Sequence, residues 1–122
     1  MLAGCATAPE PSPAPAPVEQ APAPYSGPHE NIAVAGLMDS ARADAAAGRL
    51  ASAAATLERA LRIEPRNPRL WHELARVRLQ QGDLSQAQGL AARSNSYAGN
   101  DSALRAENQR LIEQARNSGQ RP

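Results

Sequence analysis

Lysine is missing from this chain, phenylalanine is missing too, and cysteine occurs once in 122 residues. Without lysine, all thirteen basic side chains are arginine, and twelve acidic residues leave a net charge of +1. Nucleic-acid surfaces need a clustered and much larger basic excess, so no nucleic-acid partner is expected. One cysteine excludes an internal disulfide, and His29 and His72 alone cannot complete a zinc site beside it. The aromatic residues are Tyr25, Trp71 and Tyr97. A core must therefore be built from aliphatic side chains, alanine foremost, and each alanine buries little area. No apolar run approaches the roughly 18 residues of a membrane-spanning helix.

What is present divides the chain in two. Eight of the eleven prolines fall in the first thirty residues. Proline at every second position, as in Ala8-Pro9-Glu10-Pro11 and Ala21-Pro22-Ala23-Pro24, blocks both helix and sheet ladders. Residues 6–30 therefore read as a disordered Pro/Ala-rich linker. Extended at about 3.1 Å per residue, the stretch Ala8–Pro28 would reach roughly 65 Å. Ahead of it, Leu2-Ala3-Gly4-Cys5 resembles the lipobox of bacterial lipoproteins, which makes residues 1–5 the end of a lipoprotein signal. The resemblance implies lipidation at Cys5. It also implies an outer-membrane destination facing the periplasm, since Ala6 is not the aspartate associated with inner-membrane retention. Acyl chains contribute about 0.8 kcal/mol per buried CH₂, and two or more of them anchor stably. Only Met1 precedes the motif, where a secretory signal has a charged and then an apolar segment. Read from Met1, the chain is expected to stay in the cytoplasm without lipid.

From Asn31 the pattern becomes helical. Val34, Leu37, Met38, Ala41 and Ala45 mark one face, and Gly48 interrupts it. Leu50, Ala53, Ala54, Leu57 and Leu61 mark a second helix, closed by Pro65. Asn67-Pro68 is a start signal, with asparagine as N-cap and proline at the first helical position. Leu70, Trp71, Leu74, Ala75 and Val77 follow, then Gly82-Asp83 stops one helix and opens the next. Leu84, Ala87, Leu90 and Ala91 make a fourth helix, and Leu104, Leu111, Ile112 and Ala115 a fifth. The frame repeats after 34 residues: Gly48, Leu50 and Ala53 return as Gly82, Leu84 and Ala87. A period of this length marks a helical repeat array.

The residues Trp71-x-x-Leu74-Ala75, Gly82-Asp83-Leu84 and Ala87, with their first-unit counterparts, resemble the tetratricopeptide repeat family. The expected fold is all-α: two repeats at about 34–67 and 68–101, then a capping helix at 102–118, within a domain spanning 31–119. Small residues at Ala41, Ala53, Ala75 and Ala87 would let paired helices approach closely. Four sequence positions depart from the family: Asp44 in one unit and Arg78 in the other stand where an aromatic is usual, the large residue of the second helix is Leu57 and then only Ala91, and the closing proline of the second unit is Gly99. Two repeats are fewer than the three usual for a stable array, which leaves weak self-association or a permanent partner as ways to cover one end.

The family lines a concave groove with the first helix of each unit. Carried over by register, the groove residues are Ala35, Met38, Arg42 and Ala45, then Arg69, His72, Arg76 and Leu79, then Ala103, Ala106, Arg110 and Glu113. Arg42, Arg76 and Arg110 are spaced by 34 and 34, which stacks three guanidinium groups along one wall. Arginine presents fixed donors suited to carboxylates, so an acidic protein or peptide partner is expected. Chaperone-binding members use lysine and asparagine instead; Met38 and Glu73 occupy two of those positions here, which argues against that activity. His72-Glu73-Leu74-Ala75-Arg76 lacks the second histidine of a metalloprotease helix. No catalytic residues, metal or cofactor are expected. The sequence reads as a membrane-tethered adaptor of the bacterial cell envelope, with a permanently docked envelope subunit or a cytoplasmic repeat protein as alternatives.

Overall fold

The computed structural model describes Gly4 and residues 31–120; Cys5, with the rest of the lipobox, and the Pro/Ala-rich segment lie outside the described residues. The domain is all-α: α1 (Ile32–Ala46), α2 (Leu50–Ile63), α3 (Pro68–Gln80), α4 (Leu84–Tyr97) and α5 (Ser102–Gly119). Each helix packs mainly on its sequence neighbours, and α3 also touches α1 on one side and α5 on the other. That connectivity makes two helical hairpins stacked side by side, with α5 behind the second.

The helix starts follow from local chemistry. Asn31 caps α1 by accepting from the Ala33 N–H at 2.8 Å, and Asn67 caps α3 by accepting from the Arg69 N–H at 3.0 Å. Asp83 and Asp101 do the same for α4 and α5 through the N–H groups of Gln86 and Leu104. Each cap satisfies a donor that the helix itself leaves without a partner. The repeat frame is visible in the stops as well. Gly48 and Gly82 have φ of 82° and 81°. Around Gly48, its N–H donates to the Ala45 carbonyl at 3.0 Å and the Arg49 N–H to the Asp44 carbonyl at 2.8 Å. Around Gly82, the Leu79 and Arg78 carbonyls accept in the same pattern at 3.0 and 2.9 Å. This left-handed closure leads α1 back into α2 and α3 back into α4 by the same turn.

The principal core is aliphatic. Val34, Met38 and Ala41 of α1 meet Ala53, Leu57 and Leu61 of α2 and Leu70, Leu74 and Val77 of α3. A smaller cluster joins Ala75, Ala87, Ala91 and Leu111, which seats α5 on the second hairpin. Ala41, Ala53, Ala75 and Ala87 are all buried between the helices. Where the family's aromatic is absent, polar ties take over. The Asp44 carboxylate accepts from Arg49 Nε at 3.0 Å and from the Ser52 hydroxyl at 2.8 Å, linking α1 to α2. Arg78 donates to Glu58 at 3.0 Å, linking α3 to α2. Trp71 packs against the principal core, donates to the Pro65 carbonyl at 2.8 Å, and carries the Arg93 guanidinium 4.9 Å from its ring centre.

Candidate functional site

A cavity of about 600 Å³ opens along α3 and α5, and Arg42 of α1 reaches into its lining. Helical period explains its lining: Arg69, His72, Glu73, Arg76 and Leu79 recur every three or four residues along one face of α3. Glu107, Arg110, Leu111 and Gln114 do so on α5. A smaller cavity of about 300 Å³ continues between α1 and α3, and shares Arg42, Glu73, Arg76 and Gln80 with the first. The two make a continuous groove across the first helices of both repeats and the cap.

Of the twelve groove residues expected from the register, six line this cavity: Arg42, Arg69, His72, Arg76, Leu79 and Arg110; Ala45 lines the smaller one, and Ala35, Ala103, Ala106 and Glu113 lie outside both. Met38 lines neither. It is 7% exposed and belongs to the core. The reason is its place on the stripe Val34–Met38–Ala41, which faces the neighbouring helices. Its long, pliable side chain fills space that surrounding alanines leave.

The arginines are not a bare ladder. Glu73, 6% exposed overall, sits between Arg42 and Arg76. Its Oε1 accepts from both Nε and Nη2 of Arg42, at 3.2 and 3.0 Å. Its Oε2 lies 3.5 Å from Nη1 of Arg76. A carboxylate removed from water needs such partners, because an unpaired charge there is costly. At the other end of the groove Arg69 stands 3.6 Å from Glu107 and 3.9 Å from Asp101. No ion pair engages Arg110 among the described residues. Four arginines against Glu73 and Glu107 leave the cavity with an excess of two positive charges.

His72 lines the cavity yet is 5% exposed and tied inward. The buried Asn108 amide donates to the Ser94 hydroxyl at 2.8 Å and to Asn95 Oδ1 at 2.9 Å. Its Oδ1 is therefore the atom facing His72, whose Nδ1 lies 2.7 Å away and must carry the proton. Ser94 in turn donates to the Pro68 carbonyl at 2.8 Å. This closed network fastens α3, α4 and α5 together beneath the groove floor. His72 Nε2 is left 3.6 Å from Glu107. Glu73, Glu107, Asn108 and Gln114 were not marked as site residues by the sequence. Their helical positions were readable, but their pairing across helices was not.

Among the described residues, no three His, Cys, Asp or Glu side chains are arranged to hold a metal. No helix of the described residues is long and apolar enough to cross a membrane.

The tetratricopeptide repeat pattern matches residues 44–107, just over half of the chain, and the chain belongs to that family. Among solved structures it is similar to the globular C-terminal domain of P. aeruginosa LpoP. The two superpose with a TM-score of 0.70 at 45% sequence identity, covering 72% of this chain and 83% of that one. No curated protein matches the chain.

Proposed function

We propose that the chain is a lipid-tethered adaptor of the bacterial cell envelope, whose repeat domain takes an acidic segment of a partner protein in its groove. The repeat fold is a protein-interaction architecture, a stack of hairpins whose first helices present one extended surface. The observation that carries the reading is the groove's composition: four arginines, with two glutamates, around a cavity of about 600 Å³. Guanidinium groups bind carboxylates through paired donors, and a low, sheltered groove strengthens that attraction relative to open water.

The likeness to the P. aeruginosa LpoP domain supports a bacterial setting. The Leu2-Ala3-Gly4-Cys5 sequence supports a lipid anchor on Cys5, at the outer membrane and facing the periplasm. The Pro/Ala-rich residues 6–30 would then space the domain from the bilayer. No reacting group is needed for this role.

Crosslinking capture in the native host tests it. Arg76→Glu and Arg110→Glu each reverse a charge on an exposed side chain of the groove. Both are expected to abolish capture of the partner recovered by the natural chain, while circular dichroism stays helical. Undiminished capture by both variants would remove the groove from the function.

A further inference from the structure

Glu73 is an odd residue to find at the centre of a basic groove. It cancels positive charge where an anion would bind, and it is buried at 6% exposure. Its geometry suggests a use beyond neutralisation. Arg42 spends Nε and Nη2 on a single oxygen of Glu73, leaving its Nη1 unspent. Arg76 approaches the other oxygen through Nη1 alone, leaving Nε and Nη2. Both arginine side chains remain about half exposed, at 47% and 54%. They line both the larger and the smaller cavity, so the group stands where the two meet. Two long, otherwise mobile side chains are thus held at one point, with donors still directed at the groove.

Resting on the reading of the groove as a site for acidic segments, we propose that Glu73 presets Arg42 and Arg76 as a fork for one carboxylate of the partner, while Arg110 across the cavity takes a second. Binding by an arginine loses rotamer freedom, and that loss is smaller where the side chain is already ordered. Charge counting and pre-ordering give opposite signs for the same substitution. If Glu73 only neutralises, its removal strengthens anion binding. With Glu73 as the positioning residue, its removal weakens anion binding although the groove becomes more positive.

The experiment is fluorescence anisotropy of a labelled hexaglutamate peptide on the full chain. Glu73→Gln keeps the side-chain shape but turns a donor amide toward one arginine. It is expected to lose roughly five-fold in affinity, the scale of one side chain newly immobilised on binding. Equal or tighter binding by Glu73→Gln overturns the proposal. Arg42→Lys supplies a second variant on an exposed position that keeps the charge and drops the two-donor grip. It should weaken binding by a similar factor, and unchanged affinity again contradicts the fork. A spectroscopic readout separates positioning from general structure: the Arg42 Nε–H resonance should exchange slowly in the natural chain and merge with mobile arginines in Glu73→Gln. If hexaglutamate fails to bind, or binds without regard to Arg76→Glu and Arg110→Glu, the groove reading itself falls and the fork with it. If those two variants weaken binding and Glu73→Gln does not, the fork alone falls.

Discussion

Three helices meet at the carboxamide of Asn108. Its hydrogen bonds to His72 and Ser94 are formed out of water, so neither of those partners has solvent to fall back on, while the bond to Asn95 is half-buried. Asn108→Ala leaves the His72 N–H without an acceptor and Ser94 without one donor. A stranded buried polar group costs about 1–3 kcal/mol, so a loss of about 2 kcal/mol is expected. In a domain of this size that lowers Tm by roughly 10 °C, measurable by thermal melting followed by circular dichroism. Asp44 behaves differently because it lies at the surface. Hydrogen bonds from Ser52 and Arg49 hold its carboxyl below the ordinary value of 3.8. A carboxyl depressed in the folded state adds stability above its unfolded value and loses it as pH falls through the folded one. The tie between α1 and α2 should therefore be intact at neutral pH and fail in acid below 3.8. Asp44→Asn should narrow the difference in urea midpoint between neutral and strongly acid solution; an unchanged difference would show that Asp44 does not contribute. Neither role could be read from the sequence. Asn108 sits 36 residues from His72, and nothing local to either residue announces the other.

At the scale of the element, the 34-residue frame was legible because it is written in residues with strong local consequences. Asn67-Pro68 caps and starts α3, and Asp83 caps α4, as their positions before apolar periodicity imply. Gly48 and Gly82 share one turn geometry, and a Cβ at either would meet nothing within 4 Å. Their cost on substitution is therefore backbone strain alone. Gly48→Ala and Gly82→Ala should each destabilise by about 1–2 kcal/mol, and by nearly equal amounts. Denaturant titration checks this, and clearly unequal costs would mean that the two turns are not equivalent. The sequence was less informative about α5. Register placed Ala103 and Ala106 in the groove with Arg110, but both alanines are exposed and absent from the cavity lining. Among the described residues no second helix follows the cap. It is oriented by its own buried stripe of Leu104, Asn108, Leu111 and Ala115, which brings Glu107 and Gln114 to the groove. Met38 shows the same limit from the other side: the family's register assigns it to the groove, and local packing takes it into the core.

At the scale of the whole molecule, the groove unites what the separate helices cannot supply. Arg42, Arg76 and Arg110 come from three helices and reach one cavity because the hairpins stack in register. The expectation of three parallel guanidinium groups was too simple. Glu73 occupies the space between two of them, and Arg69 is drawn toward Glu107 and Asp101. The result is a groove of modest positive excess with Arg110 as its most available cation, rather than a strongly basic wall. Attraction between exposed charges in such a groove should weaken with salt, since screening acts over about 10 Å at ordinary ionic strength. The most direct test is an NMR titration of the isotopically labelled full chain with hexaglutamate. Shifts confined to Arg42, Arg69, Arg76 and Arg110 and their neighbours on α3 and α5 would establish the groove as the acidic-segment site. Shifts centred instead on Trp71, Arg93 and Tyr97, which lie outside the cavity lining, or no shifts at all, would contradict it.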